Sequence, residues 1–128
     1  MKAATDALAL GQDLAEKMAM KDWAGIEALL DAHIDFRGMT PGQFWEASDP
    51  GGVIEVFGQW FEDHDRIERL VSCETEPIST RNHLTYRLEV HSERDDEDFV
   101  VEQQAYFEVN DGRISHLRML CSGFLPRN

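Results

Sequence analysis

Two polar side chains that fall among apolar residues on predicted strands are the first candidates for chemistry. Tyr86 shares its strand face with Leu84 and Leu88. Gln103 is the only polar member of the alternating set that runs from residue 99 to residue 109. Either group could donate a hydrogen bond to a ligand carbonyl or to a developing oxyanion. A tyrosine in this position is more often a core residue with a satisfied hydroxyl, and we favour that interpretation for Tyr86; for Gln103 a structural partner and a ligand contact are equally open.

Cysteine and histidine offer weaker candidates. Cys121 is predicted to face the same interior, but no histidine is predicted beside it to generate a thiolate. Cys73 and Cys121 have no metal-ligand spacing, so we expect two buried thiols. His64 stands among acids in residues 62–65, where neighbouring side chains on a helix point in different directions, and we expect a solvated helix end. The sequence therefore predicts neither a metal nor a cofactor.

The last hairpin decides whether His116 and Arg118 face the interior. A two-residue turn at Asp111-Gly112 would carry both inward, where they could transfer a proton and clamp an anion. A three-residue loop with left-handed Gly112 would instead turn another set of side chains inward. That loop pairs Phe107 with Ser115, Ala105 with Leu117, Gln103 with Met119 and Val101 with Cys121. We prefer it because it matches apolar with apolar residues, and it leaves Ile114, His116, Arg118, Leu120 and Ser122 on the outer face.

Helical spacing dominates the first half of the chain, and alternation dominates the second. We predict helices over residues 5–20, from a cap at Asp22 to near Ala32, from a Thr40-Pro41 start through Phe44 and Trp45, and from Asp49-Pro50 onward. Long strands are predicted over residues 67–78, 83–91, 99–109 and 113–124, with a short fifth over 33–38. The charged run 93–98 is predicted to be a hairpin loop.

Length and charge restrict the class of protein. The 128 residues fit one domain, 1–128, with a core large enough for a small cavity. Twelve Lys and Arg against 25 Asp and Glu give a net charge of −13, and no basic patch is visible. Nucleic acid and anionic membranes are therefore not expected as partners. Neither a signal peptide nor a membrane span is visible in the sequence, and we expect a cytoplasmic protein.

Three segments carry a resemblance to a known family: Lys21-Asp22-Trp23 leading to Leu29-Leu30, Phe36-Arg37-Gly38, and Val109-Asn110-Asp111-Gly112-Arg113-Ile114. With helices followed by long strands, the chain resembles the nuclear transport factor 2-like superfamily, and within it the SnoaL-like group, from about Leu8 to Phe124. The resemblance implies an α+β fold, a cystatin-like cone in which N-terminal helices pack in the concave face of a curved, mostly antiparallel sheet. It also implies a ligand cavity in that face and frequent dimerisation through the sheet.

The family contains ketosteroid isomerases, polyketide cyclases, epoxide hydrolases, dehydratases and non-catalytic binding domains, so the fold alone does not select a function. Ketosteroid isomerases place a carboxylate base where this chain has Phe36, and strand parity turns Asp35 the other way. Epoxide hydrolases need two aspartates bridged by an arginine, and the predicted inward faces lack those acids. Neither chemistry is expected here, and no general base can be named.

We therefore expect a SnoaL-like protein that binds a small, largely apolar molecule in the cone cavity. If it is catalytic, it would be an isomerase, cyclase or dehydratase acting by proton transfer, with Tyr86 or Gln103 polarising a carbonyl. The alternative is a non-catalytic ligand-binding or dimerisation module, which a sealed core would favour. A homodimer is expected through the outer sheet face, with Tyr106, Leu120 and Phe124 near its centre. The predicted ligand pocket is formed by Phe36, Trp45, Trp60, Tyr86, Leu88, Gln103, Leu117, Met119 and Cys121.

Overall fold

The computed structural model of the protein describes residues 2–127, and within this range the chain forms three helices and one curved sheet. The elements are α1 (Lys2–Ala19), α2 (Trp23–Ala28), β1 (Leu30–Thr40), β2 (Gln43–Ala47), α3 (Pro50–Trp60), β3 (Asp65–Ile78), β4 (Arg81–Ser92), β5 (Glu97–Asn110), β6 (Arg113–Cys121) and β7 (Leu125–Pro126). The strand order is β2-β1-β6-β5-β4-β3, and β7 pairs with β5. Among these described strands only β1 and β6 pair in parallel, so the predicted α+β architecture with a mostly antiparallel sheet is confirmed.

The helices pack their apolar stripes against the concave face. In α1, Leu14 and Met18 are fully buried, as helical spacing predicts. The Asp49 carboxylate accepts a hydrogen bond from the Gly52 N–H at 2.8 Å and caps α3, which opens on Pro50. No helix within residues 2–127 combines the length and the apolar character that crossing a membrane requires.

The second helix is shorter than predicted. It ends at Ala28, and Ala32 already lies in β1. From Leu30 onward the buried positions follow strand alternation, and the Ile114 N–H donates to the Leu29 carbonyl at 2.8 Å. Pairing with β6 therefore satisfies the backbone that a longer helix would have satisfied internally.

The helix predicted through Phe44 and Trp45 is wrong, because these residues form β2. Gly42 has a φ of +80° between the paired residues Thr40 and Gln43. That is the conformation a Pro-Gly type II turn requires at its second central position. The segment therefore closes a hairpin, and the Trp45 indole N–H donates to the Thr40 hydroxyl at 2.8 Å.

Neither register predicted for the last hairpin is correct. Asp111 and Gly112 form a two-residue turn with φ values of +52° and +77°. Glu108 then pairs with His116 while Val109 pairs with Ile114, so Ser115 is an extra residue in β6. It forms a β-bulge, and the Ser115 hydroxyl donates to the Glu108 carbonyl at 3.4 Å.

Beyond the bulge, each side chain of β6 points to the face of the sheet opposite to the one it would occupy in a regular two-residue hairpin. The inward side chains of β6 are those predicted: Leu117, Met119 and Cys121. Their partners on β5 differ from the prediction and are Phe107, Ala105 and Gln103, respectively. Ile114, predicted to face outward, is fully buried. His116 and Arg118 lie on the outer side, as preferred above.

Beyond Cys121 the chain leaves the strand. Gly123 has a φ of +76°, and Phe124 packs against Phe61 and Phe99 at ring-centroid distances of 5.9 and 5.5 Å. Phe124 therefore does not join Tyr106 and Leu120 on the outer face, as the sequence had suggested.

Candidate functional site

A polar chain crosses the concave face of the sheet through three directly paired residues. Tyr86 on β4 lies opposite Gln103 on β5, which lies opposite Cys121 on β6. The Tyr86 hydroxyl donates to Gln103 Oε1, and Gln103 Nε2 donates to Cys121 Sγ at 3.5 Å. Tyr86 and Gln103 are both 0% exposed. The protein itself therefore satisfies the two side chains that the sequence marked for chemistry.

Burial sets the protonation state of this polar chain. It raises the pKa of Tyr86 well above its ordinary value. It also raises the pKa of the Cys121 thiol, against a smaller opposite effect of the Gln103 hydrogen bond. Tyr86 is therefore a neutral hydrogen-bond donor, and Cys121 is a neutral thiol. The contacts described for residues 2–127 give Cys121 no imidazole partner that could generate a thiolate.

The structure brings the predicted pocket residues together as core. Trp45 is half-buried against the other eight predicted pocket residues. Those eight are all buried: Phe36, Trp60, Tyr86, Leu88, Gln103, Leu117, Met119 and Cys121. The Trp60 ring lies 6.2 Å from Trp45 and 6.3 Å from Phe36, centroid to centroid. Because neither Tyr86 nor Gln103 is open to water, a ligand-lining role for this set stays a prediction.

One cavity lies on the outer face of the sheet and is lined by residues of β2, β1, β6 and β5. This outer hollow has a volume of about 570 Å³. Its lining is formed by Arg37, Gly38, Met39, Phe44, Trp45, Glu46, Gln104, Tyr106, Arg118, Met119 and Leu120. Only Trp45 and Met119 were predicted to line a cavity. Phe44 was not predicted to line a cavity because the sequence analysis assigned it to a helix, whereas it lies on β2.

Ion pairs hold the charged groups around the outer hollow. The Arg118 guanidinium donates to both carboxylate oxygens of Asp35 at 3.3 Å, and this hydrogen bonding holds the pKa of Asp35 below its ordinary value. Arg37 Nε lies 3.5 Å from the Glu46 carboxylate. His116 lies 3.9 Å from Asp35. Burial, followed by the charge of Arg118, lowers the pKa of His116. Paired charges therefore surround the apolar floor of the hollow, which is formed by Met39, Phe44, Tyr106 and Leu120.

A second cavity of about 270 Å³, here called the side cavity, lies between the end of α3 and the β4–β5 hairpin. It is lined by Gln59, Trp60, Glu62, His64, Asp65, Ser92, Arg94, Asp95, Phe99 and Phe124. His64 lies 3.5 Å from Glu62 and 3.4 Å from Asp65. The expectation of a fully solvated helix end is wrong for Asp65, which is 6% exposed. Among the side chains that the structure describes, those of residues 7–127, no group of three or more His, Cys, Asp or Glu could hold a metal ion.

Solved structures of other proteins share this architecture. A "putative polyketide cyclase" from Xanthomonas campestris superposes with a TM-score of 0.72 at 18% identity, covering 91% of this chain and 90% of its own. A "putative isomerase" from Bacillus subtilis gives 0.75 at 13% identity, covering 92% and 87%. An NTF2-like protein from Burkholderia xenovorans gives 0.67 at 12% identity, covering 93% and 91%.

These likenesses confirm the fold class that the sequence resemblance implied. No family model matches the sequence, and no curated protein matches it. The chain has the curved α+β cone fold of nuclear transport factor 2-like proteins. At these identities the comparison establishes the fold, and function has to be argued from the site.

Proposed function

We propose that this protein functions as a homodimer whose subunits meet through the outer hollow. The observation that carries the proposal is the apolar floor left open to solvent on that face. Phe44 is 77% exposed and Leu120 is 49% exposed. Met39 and Tyr106 are exposed beside them. Grouped apolar side chains of this kind, within a rim of charges, are typical of a protein interface.

The dimensions of the sheet fit such an interface. Six neighbouring strands at about 4.8 Å spacing give a face about 24 Å wide. The nine residues of β6 span about 30 Å. The product, roughly 700 Å² for the whole sheet face of one subunit, is of the order of the ~800 Å² per partner that a stable protein interface buries, and the hollow occupies the β2-β1-β6-β5 side of that face.

The shape of the hollow favours a symmetric contact between two copies. Phe44 projects from the same surface that contains a hollow of about 570 Å³. In a two-fold contact each Phe44 would enter the hollow of the other subunit, since an isologous interface must complement itself. The rim pairs Asp35–Arg118 and Arg37–Glu46 each combine opposite charges. Each rim pair is close to neutral as a unit, so two apposed rims would carry little net like-charge repulsion.

A substitution at Leu120 tests this interface. We expect Leu120→Lys to weaken the dimer at least about 100-fold, because the two-fold axis places two unpaired charges in an apolar contact. Ile78→Lys is the matched control, since Ile78 is 48% exposed but lies at the end of β3, outside the hollow. Sedimentation equilibrium at several concentrations measures the association constant. A monomeric wild type at 100 µM (a dissociation constant of this size corresponds to about 5.5 kcal/mol of association), or equal losses in both variants, would contradict the proposal.

Binding of a small, largely apolar ligand in the concave face is the second candidate function. It is favoured by the Tyr86–Gln103 pair, the polar contact that crosses an otherwise apolar wall. Burying such a pair has a desolvation cost that an all-apolar wall would avoid. The names of two structural neighbours, a cyclase and an isomerase, support small-molecule chemistry in this fold.

A ligand carbonyl could replace Gln103 as the acceptor of the Tyr86 hydroxyl. Tyr86 would then polarise the carbonyl for isomerisation, cyclisation or dehydration by proton transfer. Access would require movement of side chains in the surrounding core, where Trp45 and Trp60 pack edge to face at 6.2 Å. Phe36, Leu88, Leu117, Met119 and Cys121 would complete the apolar wall.

Native mass spectrometry of freshly purified protein tests this second function. We expect a retained small molecule that dissociates at higher collision energy. Gln103→Leu should abolish its retention, whereas Gln43→Leu, which changes an exposed amide on β2 outside both cavity linings, should leave it unchanged. Wild-type protein without additional mass, or retention by the Gln103 variant, would count against a ligand at this position.

A further inference from the structure

We propose that residues 122–127 form a strap whose local opening gives a small apolar molecule access to the concave face. The strap follows directly on Cys121, the last residue of β6. It contains β7, whose two residues pair with Phe99 and Val100 on β5. Its role as an entry route rests on the second candidate function above, whereas the opening itself can be measured without a ligand.

The strap is packed less deeply than the wall next to it. None of residues 122–127 is buried, and Leu125 is 48% exposed. Cys121, which precedes the strap, and Gln103, the partner of Cys121 on β5, are 4% and 0% exposed. Segments with few buried contacts and solvent-exposed hydrogen bonds open at a lower free energy than the whole domain unfolds. The strap is therefore the part of this wall that opens first.

A short hydrogen-bond ladder attaches the strap to β5. The Ser122 N–H donates to the Glu102 carbonyl at 2.9 Å, and the Arg127 N–H donates to the Asp98 carbonyl at 3.0 Å. The Ser122 hydroxyl accepts the Glu102 N–H at 2.9 Å. Between these two ends stands Pro126, which has no N–H to donate. Because the ladder is short and interrupted, it adds little resistance to opening.

Phe124 is the apolar anchor of the strap. Its ring packs against Phe61 and Phe99 at centroid distances of 5.9 and 5.5 Å. Phe61 is only 2% exposed. Phe124 also lines the side cavity, so lifting its ring would enlarge that cavity and uncover Phe61. Opening of the strap therefore leads from solvent to apolar surface, which suits an apolar molecule.

Arg127 is the electrostatic clamp of the strap. Its guanidinium lies 2.8 Å from the carboxylate of Glu89 on β4, 3.3 Å from Asp98 on β5 and 3.9 Å from Glu68 on β3. The Arg127 side chain is 32% exposed, so water and salt screen these contacts. The clamp lies at the far end of the strap from Cys121. Its loss should therefore change the opening equilibrium and leave the buried wall intact.

The Cys121 thiol reports on the opening. Burial raises the pKa of this thiol, whereas the Gln103 hydrogen bond and the backbone of Gly123 act in the opposite direction. The strap therefore reaches the sulfur itself and shields it until the strap moves. The other cysteine, Cys73, is half-buried. Cys73→Ser supplies a background in which Cys121 is the only thiol.

Labelling of the Cys73→Ser protein with N-ethylmaleimide, at one pH and one protein concentration, measures the opening. Arg127→Gln should accelerate labelling of Cys121 about 5-fold, the factor that loss of a small network of exposed ion pairs gives. Arg81→Gln is the matched control, because it breaks an exposed ion pair with Glu108 at 2.9 Å that does not involve the strap. The control should label at the unchanged rate.

Urea separates local opening from global unfolding. Labelling through the strap should rise less than about 2-fold per molar urea, whereas global unfolding of a small domain gives about 10-fold. Gly123→Ala perturbs the strap independently of Arg127, because a Cβ at this position would lie 2.8 Å from Pro41 and the φ of +76° disfavours a side chain. It should accelerate labelling at least as much as Arg127→Gln does.

Two results would overturn the strap: a labelling rate that follows global unfolding, or equal rates in the Cys73→Ser parent, Arg127→Gln and Gly123→Ala. Faster release of a retained ligand from Arg127→Gln in native mass spectrometry would support the entry route, and an unchanged release rate would refute it. Absence of any retained ligand would refute the second candidate function, and the labelling rates would still decide whether the strap opens.

Discussion

The Tyr86–Gln103 hydrogen bond provides a quantitative test of the interior. Tyr86→Phe deletes the hydroxyl and leaves Gln103 Oε1 buried without its donor. An unsatisfied buried acceptor costs about 1–3 kcal/mol. In a domain of this length, 2 kcal/mol corresponds to a fall in Tm of roughly 6–10 °C. Tyr106→Phe removes the hydroxyl of the other tyrosine, which is exposed on the outer face, and should change stability by less than about 0.5 kcal/mol.

A double-mutant cycle separates the hydrogen bond from simple loss of packing. Gln103→Leu alone leaves the Tyr86 hydroxyl unpaired, whereas the double variant removes both polar partners. The double variant should therefore be more stable than the sum of the single losses predicts, by about 1–2 kcal/mol. Urea unfolding followed by tryptophan fluorescence, at one protein concentration, measures each free energy of unfolding. Additive losses, or a Tyr86→Phe variant as stable as wild type, would refute the reasoning.

Three further predictions concern other parts of the chain. Gly38→Ala should destabilise the protein by about 1–3 kcal/mol in urea unfolding, because the new Cβ would lie 3.0 Å from the Trp60 ring; full stability would show that the ring moves freely. Asp49→Ala should cost about 1 kcal/mol by removing the cap of α3, and an unchanged Tm would contradict this. In NMR titration His91 should titrate above 6.5, because Asp98 raises its pKa, and His116 below 6.5; the reverse order would contradict the assigned environments.

The two histidines should affect the pH dependence of stability in opposite ways. The raised pKa of His91 gives stabilisation that is present below its unfolded pKa and is lost as the pH rises through its folded pKa. The lowered pKa of His116 means that the folded state favours its neutral form, so stability falls as the pH drops below 6.5. Comparing His91→Gln with His116→Gln in unfolding experiments between pH 5 and 8 (the range in which histidine titrates) separates the two effects.

Side-chain alternation is the part of the structure that the sequence predicts well. The period of two along β4 and β5 correctly turns Tyr86 and Gln103 toward the interior. Asp49-Pro50 correctly marks the start of α3, because an aspartate cap and a proline at the first helical position act locally. Local signals of this kind do not depend on which strands meet.

The failures arise where one local pattern permits two structures. Thr40-Pro41-Gly42 fits a helix start as well as a turn, and the left-handed φ of Gly42 selects the turn. The outer hollow needs β2 beside β1 and β1 parallel to β6, pairings between distant segments that periodicity does not specify. Phe44 and Tyr106, far apart in sequence, therefore line the same cavity without any sequence signal for their proximity.

The single additional residue at position 115 has a wider consequence for comparing chains of this fold. A chain with the same turn but without that residue would direct the equivalents of His116 and Arg118 toward the helices. The presence or absence of this one residue therefore decides which side chains of β6 line the concave face: the apolar Leu117 and Met119, or the basic His116 and Arg118. Alignments that run through residues 113–121 without a gap would then equate side chains on opposite sides of the sheet, and would transfer roles to the wrong amino acids.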